Sequence, residues 1–568
     1  MFMLTFSDFL KFICSPFTQK KSIMFSRKQR IREAVYIFTR YPEPGKCKTR
    51  LVPMLGEKGA ARVQMLMTEH ILGQVLELKN AKPDLHVVVY FSGTNEKTMH
   101  YWIDRKYANH KLLLKPQRGD DLGEKLMNAC LDSFHSGVER LIIVGCDIPG
   151  INHGILEDAF SMLKWDDCDL VIGPAEDGGY YLLGTNRRIG VNTIESLFKG
   201  IEWGTSKVFE QQVEAAEFLG MKAAKLDQTL RDVDTPEDIG VFEQELGVRT
   251  KEVTSPMWSI IIPCLNEVDE IENCLQSAIL SCSEPSKVEL IICDGGSDDG
   301  SVEKVKEVLT DRGVLWKLIH SPAGRGRQMV AGASESSGDN LLFLHVDSRL
   351  PQNFDQHAED CLWIPGIVAG AFRFQLDFEP GKVDPKASPR ASPTPTPDDA
   401  PGPVPETGKT SKLSKFQARL LEWGANIRSK YGELPYGDQA IFLRKKIYLQ
   451  VGGMPGYPLF EDFALIEKLK SLGHIGIVEG EPCLTSARRW EKHGYYKVTG
   501  MNSMMVAAYM CGVSPDRLAS WYQAGRKEKK PGTSESAENS STHDDMSDLT
   551  TPASDGADRV EPVETPPY

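Results

Sequence analysis

The sequence predicts an α/β fold with two tandem domains, each a mostly parallel sheet flanked by helices. The chain of 568 residues is longer than a single hydrophobic core usually organises. Short continuous apolar runs, such as residues 141–144 and 340–346, are typical of strands buried on both faces of a parallel sheet. An aspartate follows each of these runs, at the edge where open α/β sheets bind ligands.

Composition limits the function classes. Hydrophobic content of 41% and charged content of 26% are ordinary for a globular protein. The net charge is −13, of which residues 531–568 contribute −8 through nine acids and one arginine. This balance argues against a nucleic-acid binder that works through broad positive charge.

Cysteine usage and the chain termini bear on the compartment. The twelve cysteines are scattered without a metal-type spacing, which favours a reducing, cytoplasmic setting. No apolar run approaches the roughly 18 residues of a membrane span. Residues 1–30 are basic, and we interpret them as an N-terminal extension, with an organellar presequence as the alternative.

Composition shifts divide the rest of the chain. We predict one domain over residues 31–248 and a second over 256–528. The proline-rich stretch 379–410 is predicted as a disordered insertion inside the second domain, because motifs continue on its far side. Residues 529–568 are predicted as a disordered acidic tail.

The first domain combines a basic loop with acids at strand ends. Lys46, Lys48 and Arg50 follow the first strand in a loop suited to phosphate, although a solvated loop is the simpler explanation. Asp147 ends a later strand, and together with Asp234 it could hold one divalent ion. Glu176 and Asp177 form a further acidic pair. The glycines that follow them allow close approach of a ligand.

These motifs, at residues 41–51, 145–150, 173–182 and 232–238, resemble a mostly bacterial family assigned as glycosyltransferases of arsenosugar biosynthesis. They are also similar to sugar- and cofactor-nucleotidyltransferases, which share the GT-A type nucleotide-binding fold. The resemblance implies that Lys48 and Arg50 contact phosphate and that Asp147 and Asp234 contact the metal. Cys146 departs from the serine usual in the family.

The second domain repeats the pattern of acids after apolar strands. Asp294 and Gly295 end one strand in an open turn, where the carboxylate can accept hydrogen bonds from a nucleoside or simply shape the turn. Asp347 ends another strand and suits Mg²⁺ or Mn²⁺ bridging a diphosphate. Arg325 and Arg327 lie in the first turn of a predicted helix, where positive charge is unfavourable. A bound anion at this position would explain both arginines.

The C-terminal part of this domain adds further charged motifs. Glu461 and Asp462 stand at a helix N-terminus, where they either stabilise the helix dipole or supply a general base for an acceptor hydroxyl. Arg488 and Arg489 beside Trp490 suit a leaving diphosphate, with a surface ion pair as the alternative.

Together these motifs resemble a family-2 glycosyltransferase with a GT-A fold, most closely a second arsenosugar-biosynthesis family. The resemblance implies a nucleotide-sugar donor, inverting transfer, and a small-molecule, lipid or glycan acceptor. It implies Asp347 on a divalent metal, Mg²⁺ or Mn²⁺, and Asp462, with Glu461 beside it, as the base. The implied donor-binding set follows the family motifs: Pro263, Asn266, Glu267, Asp294, Gly295, Arg325, Arg327, Asp438, Arg488, Arg489 and Trp490.

For the first domain three roles stay open: a second glycosyltransferase, a nucleotidyltransferase that prepares the donor, or a non-catalytic module supporting the second domain. A phosphate loop and a two-acid metal site serve both chemistries.

Overall fold

The computed structural model describes residues 32–310, 312–378 and 414–526. The predicted N-terminal extension, the whole proline-rich insertion and the acidic tail therefore lie outside the described residues. A compact unit ends at Ala519, and Ser520 begins a separate one. No helix within the described ranges is long and apolar enough to cross a bilayer.

The first sheet has seven strands in the order β3-β2-β1-β4-β6-β5-β7. Its strands are β1 Glu33–Arg40, β2 His86–Ser92, β3 Leu113–Pro116, β4 Arg140–Gly145, β5 Leu170–Pro174, β6 Tyr180–Asn186 and β7 Ala223–Lys225. The helices of this half are α1 Val52–Ala81, α2 Glu96–Ile103, α3 Leu122–His135, α4 His153–Met162, α5 Val191–Leu197, α6 Val208–Phe218, α7 Ile239–Leu246 and α8 Thr250–Thr254.

The second sheet has eight strands in the order β10-β9-β8-β11-β14-β13-β15-β12. Its strands are β8 Trp258–Cys264, β9 Val288–Asp294, β10 Leu315–His320, β11 Asn340–Phe343, β12 Ser348–Arg349, β13 Ile367–Asp377, β14 Phe442–Arg444 and β15 His474–Ser486. The helices are α9 Val268–Leu280, α10 Ser301–Leu309, α11 Arg325–Glu335, α12 Phe354–Leu362, α13 Lys415–Gly432, α14 Lys445–Gln450, α15 Glu461–Lys470, α16 Arg488–His493, α17 Tyr495–Met510 and α18 Pro515–Arg526.

The two sheets share one connectivity. In each, four parallel strands are followed by one antiparallel strand, β6 or β14, and then by a parallel pair, β5 with β7 or β13 with β15. The second sheet adds β12 at its edge. The predicted α/β class with two helix-flanked sheets is confirmed, and each sheet is mixed because of its antiparallel strand.

Alternating side chains of the central strands fill a core on each face of their sheet. On β8, Ile260 and Ile262 face one core while Ile261 faces the other, and all three are fully buried. Helices cover both faces, so the strands read as continuous apolar runs without a polar side. With both faces occupied by helices, the strand ends are the part of each sheet that remains open to a ligand.

Ion pairs and an aromatic ring join the two halves. Arg62 of α1 is buried and donates from Nη1 to the carbonyl of Val253, at 2.5 Å, and to Glu359 of α12, at 2.6 Å. The Trp363 ring contacts the guanidinium groups of both Arg62 and Arg444, which lie 4.9 and 4.2 Å from its centroid. A guanidinium held this way carries both charge pairing and packing area.

Replacing Arg62 by alanine is expected to lower the free energy of unfolding by about 2–3 kcal/mol, because it leaves Glu359 and a backbone carbonyl without their buried donor. Lys58→Ala is the matched control, since its pair with Asp360 crosses the same contact with both side chains at least half exposed. The control should change stability by less than about 0.5 kcal/mol. Urea unfolding of both variants measures the difference, and equal effects would contradict a buried anchor at Arg62.

Candidate functional site

The ends of β8 and β9 are fastened together by a buried glutamine. Gln328, in the first turn of α11, donates from Nε2 to the carbonyl oxygens of Cys264 and Cys293, both at 2.7 Å. The backbone N–H of Gly295 donates to the same Cys264 carbonyl at 2.9 Å. Hydrogen bonds within the protein thus hold the exit turns of both strands. The sequence interpretation had not assigned Gln328 a role.

Asp294 is almost fully buried and already engaged by the protein. Its carboxylate accepts hydrogen bonds from the backbone N–H groups of Gly296 and Ser297, at 3.0 and 3.1 Å, and contacts the His320 ring nitrogen Nδ1 at 3.1 Å. These partners lower the pKa of Asp294 against the raising effect of its burial. The carboxylate therefore shapes the turn, and its contact with a nucleoside stays a prediction.

The exit loop of β8 carries three of the predicted donor-binding residues. Pro263 is partly buried near the end of β8, and Asn266 follows with a left-handed φ of 55°. The Asn266 side chain accepts a hydrogen bond from the N–H of Asp298 at 2.9 Å, which ties this loop to the turn after β9. Glu267 accepts from Arg488 at 3.2 Å, so the loop also reaches the segment after β15.

Asp347 lies four residues beyond the end of β11, directly before β12. Burial raises the pKa of Asp347, while the charges of Arg325, Arg488 and Arg349 oppose the rise. A carboxylate that is desolvated and only partly compensated has reason to attract a further cation. This agrees with the sequence expectation of a metal-binding aspartate, which stays a prediction.

Arg325 forms an ion pair with a carboxylate of the protein itself. Its guanidinium pairs with Glu461 of α15, whose side chain is fully buried. Helix α11 lies close to the segment before α15. This close contact depends on glycine at position 326, because a Cβ there would lie 2.4 Å from the Tyr457 carbonyl oxygen. The sequence had suggested a ligand anion for Arg325 and Arg327. For Arg325 the partner is internal, whereas Arg327 is exposed.

Asp462 is held beside a histidine that the sequence interpretation had not selected. Its Oδ2 accepts a hydrogen bond from the N–H of Gly437 at 2.7 Å, and Oδ1 accepts from Phe463 N–H at 2.7 Å. A Cβ on Gly437 would lie 2.5 Å from Nε2 of His345, so only glycine fits between the two side chains. Burial lowers the pKa of His345 well below its ordinary value, which keeps this ring neutral.

Asp438 is a buried acid whose negative charge is unfavourable in its surroundings. Burial raises the pKa of Asp438 to about 6, helped by the charges of Asp462 and Asp347 and opposed by Arg428 and Arg325. Its Oδ1 is shielded from solvent and accepts no hydrogen bond from the residues the structure describes. Oε2 of Glu461 is in the same condition. The charges of Asp347 and Asp462 therefore both act on Asp438.

The residues predicted to hold a diphosphate follow β15. Arg488 is exposed and pairs with Glu267 at 3.2 Å and more loosely with Glu270 at 3.8 Å. Arg489 donates to Asn502 at 3.1 Å. Trp490 is buried against the Phe374 ring, with centroids 6.4 Å apart, so its first role is packing. Arg488 is the member of this trio that remains accessible to a ligand.

The side chains at this edge suit a divalent cation that is shared with a substrate. Within the described ranges no three His, Cys, Asp or Glu side chains form a ready-made metal cage. Mg²⁺ characteristically binds one or two carboxylates and completes its shell with water and substrate phosphates. The under-compensated Asp347 and the unpartnered oxygen of Asp438 fit that mode.

The loop carrying Asp438 is fastened from the N-terminal half. Glu433, at a left-handed φ of 48° just after α13, accepts hydrogen bonds from Arg105, from His474 at 2.9 Å and from the N–H of Ile475 at 3.2 Å. The Tyr101 ring stacks on His474 with centroids 3.9 Å apart. Because Arg105 and Tyr101 belong to the N-terminal half, that half contacts the segments next to Asp438.

The corresponding edge of the first sheet is arranged differently. The ammonium of Lys48, which is nearly buried, lies 2.6 Å from Asp147 and 3.8 Å from Asp234. Arg50 pairs with Asp234 at 2.6 Å. The two aspartates do come together as predicted, but a lysine stands between them where the sequence suggested a metal ion.

The other predicted residues of this half lie around that cluster. Lys46 pairs with Glu43 at 2.7 Å on the exposed surface. Glu176 and Asp177 are exposed, and the Asp177 carboxylate accepts a hydrogen bond from the N–H of Gly179 at 2.9 Å. Burial and the nearby charge of Asp177 raise the pKa of Asp232, a neighbour that the sequence interpretation had not selected.

Comparisons with known proteins find one family match in each half of the chain. The family described as glycosyl transferase family 2 matches residues 259–358, and an uncharacterised family conserved in bacteria, DUF2064, matches residues 75–205. Glycosyltransferase AglE of Haloferax volcanii is 35% identical over 95 residues, which are 16% of this chain and 31% of that protein. An undecaprenyl-phosphate 4-deoxy-4-formamido-L-arabinose transferase of Proteus mirabilis is 29% identical over 96 residues, 16% of this chain and 29% of its own.

The chain thus spans less than a third of the length of these curated relatives. Among solved structures, one from Desulfovibrio desulfuricans assigned as a nucleotide-diphospho-sugar transferase is 27% identical, covering 39% of this chain and 91% of that one with a TM-score of 0.33. A mannosyltransferase from Pyrobaculum calidifontis, in complex with GDP-Man and Mn²⁺, is 15% identical, covering 49% of this chain and 66% of that one with a TM-score of 0.31.

Asp438→Asn is expected to raise the melting temperature of the metal-free protein at neutral pH. The folded-state pKa of about 6 exceeds the ordinary 3.8, so the folded protein binds the extra proton between those values. Its stability therefore falls as pH rises through about 6, and the asparagine removes that loss. The gain should be complete at pH 7.5 and roughly half as large at pH 5.

Thermal unfolding in a chelator measures both conditions. Asp158→Asn, at an exposed position of α4, is the control and should show no such pH-dependent gain. A loss of stability for Asp438→Asn at pH 7.5 would contradict the unfavourable burial of this carboxylate.

Proposed function

We propose that the edge of the second sheet is the active site of a glycosyltransferase, which moves a sugar from a nucleotide-sugar donor to an acceptor. The observation that carries this proposal is the cluster of Asp347, Asp438, Glu461 and Asp462 around Arg325. Asp347 and Arg325 lie within the segment that matches glycosyl transferase family 2. The arsenosugar assignment stays a prediction of the motif resemblance.

Asp347 and Asp438 are the residues that would hold Mg²⁺ or Mn²⁺ together with the donor diphosphate. Such an ion stabilises the negative charge that develops on the departing nucleoside diphosphate. The exposed guanidinium of Arg488 stands on the same side and supplies a second positive charge for that group. Both contributions act on charge that grows in the transition state, which is where stabilisation accelerates the reaction.

Asp462 is the better candidate for the general base. Glu461 is fully buried and forms an ion pair with Arg325. Asp462 is instead oriented by two backbone N–H groups beside the neutral His345. Removal of the acceptor proton by Asp462 would let the acceptor oxygen attack the sugar carbon from the face opposite the diphosphate. Transfer by this single displacement inverts the configuration of the sugar.

For the first sheet, a supporting role is favoured. Its two aspartates are already neutralised by Lys48 and Arg50, while Arg105 and Tyr101 fasten the Asp438 loop of the second sheet. Asp147 follows β4 as Asp347 follows β11, so the two residues occupy equivalent places in the shared connectivity. This equivalence supplies a direct test of which half is catalytic.

Asp347→Asn in the full chain should lower donor turnover by about a hundredfold or more and abolish stimulation by Mn²⁺, because it removes a metal-binding charge. Asp147→Asn is the matched control and should leave turnover within about twofold. Release of nucleoside diphosphate from a panel of nucleotide-sugars measures both. Retained, metal-stimulated turnover by Asp347→Asn would refute the site, and loss in Asp147→Asn alone would move catalysis to the first sheet.

Asp462→Asn should lower kcat by about a hundredfold or more while leaving the donor KM nearly unchanged, because a general base acts on the acceptor in the transition state. Steady-state kinetics at saturating acceptor separates the two constants. Glu461→Gln should instead lower the melting temperature, since it breaks the buried pair with Arg325. Unchanged kcat in Asp462→Asn would assign the base elsewhere.

A further inference from the structure

Helix α13 has an inner face that belongs to the core of the second half. Ala418 and Ser429 on this face are buried, and Leu421 and Ala425 pack in the cluster that contains Trp490. Asn426 on α13 accepts a hydrogen bond from the N–H of Phe374 on β13, at 2.8 Å, and donates to its carbonyl at 3.0 Å. These contacts fix the rotation of the helix and therefore determine which side chains face solvent.

The outward face of α13 is apolar. Phe416 is 75% exposed, Leu420 43%, Trp423 61% and Tyr431 74%, and Ile427 is partly exposed. Their spacing of four, three, four and four residues gathers them within roughly 80° of the helix circumference. Scattered surface apolar residues are ordinary, whereas a continuous aromatic stripe on the solvent side of a helix needs a partner.

Positive charge borders this stripe. Lys415 and Arg419 are exposed along one side of it, and Lys430 follows on the same side, paired with Glu479 at 2.7 Å. The helix has one acid, Glu422, which points inward and accepts a hydrogen bond from the N–H of Leu376 at 3.0 Å. The outward surface of α13 is therefore apolar and cationic at once.

Of the three longer chain segments outside the described residues, the N-terminal one, residues 1–31, holds six phenylalanines but carries six basic residues and one acid, so its charge does not complement Lys415 and Arg419. The other two lack the apolar groups to match this surface. Residues 379–413 contain three large aliphatic side chains, Val383, Val404 and Leu413, and no aromatic residue. Residues 527–568 are acidic and rich in Ser, Thr and Pro. Neither composition supplies large apolar groups in a number that would bury five exposed ones.

From these observations we propose that α13 docks in the plane of an anionic lipid surface. Helices of this kind bury Phe, Leu and Trp at the boundary between headgroups and acyl chains, while Lys and Arg contact anionic headgroups. Tyr496 on α17, whose Val498 packs in the same cluster as Ala418 of α13, is a further exposed aromatic residue. Six residues separate the end of α13 from Asp438, so docking would bring the proposed active site close to the lipid.

Sedimentation of the full chain with vesicles tests this proposal. We expect binding to phosphatidylcholine vesicles that contain phosphatidylglycerol, and weak binding to phosphatidylcholine alone. The combined variant Phe416→Ser, Leu420→Ser, Trp423→Ser should lose at least about tenfold in affinity. Lys415→Glu with Arg419→Glu should weaken binding and reduce its dependence on salt.

Phe218→Ser is the matched control, because Phe218 is a 91% exposed aromatic residue at the end of α6 in the other half. It should bind vesicles like the parent protein. Absent vesicle binding, or equal binding by the combined variant, would overturn the proposal. So would a parent dimer that the combined variant dissociates in light scattering, since the stripe would then cover a second copy. No donor is present in the assay, so its result is independent of the proposed transfer reaction.

Discussion

The buried pair between Arg325 and Glu461 is the interaction on which the second site depends. It joins the first turn of α11 to the first turn of α15, and it places Asp462 next to Gly437 and His345. A fully buried carboxylate is costly unless a cation is close, so this glutamate requires its arginine. The same arginine also opposes the charges of Asp347 and Asp438, although it does not neutralise them. The surplus negative charge left over is what would attract a divalent ion and its phosphates.

The two sheets show that one connectivity can carry two different electrostatic arrangements. Each places an aspartate after its fourth parallel strand. Asp147 is paired with the ammonium of Lys48, whereas Asp347 has no direct ion pair among the residues that the structure describes. The lysine comes from the loop after β1, where the second sheet has Asn266 and Glu267. A change of charge in one exit loop therefore separates a compensated edge from an uncompensated one. This difference, more than the fold, argues for chemistry in the second half and support in the first.

Local pattern was enough to predict the two sheets and the positions of acids at their edges, because apolar runs and strand-end aspartates are both short-range signals. Which charges meet could not be predicted, because Arg325 and Glu461 are 136 residues apart in the chain. The same holds for Lys48, which the motif placed on phosphate and the structure places on Asp147. Asp438 was selected from its motif, but its raised pKa depends on acids contributed by two other segments. Side-chain pairing across a sheet edge is a property of the tertiary structure, and a single sequence does not contain it.

Helix α13 connects several of these features. Its inner face packs on β13 and on Trp490, and the segment after its C-terminus passes through Glu433, which Arg105 of the other half holds, before it reaches Asp438. Arg428 on the same helix stacks on the Tyr436 ring, 3.5 Å from its centroid, and donates to the Leu434 carbonyl. These packed and hydrogen-bonded contacts connect the helix that carries the apolar stripe to the loop that carries Asp438. The proposed lipid contact and the proposed active site therefore lie on neighbouring segments of the second half.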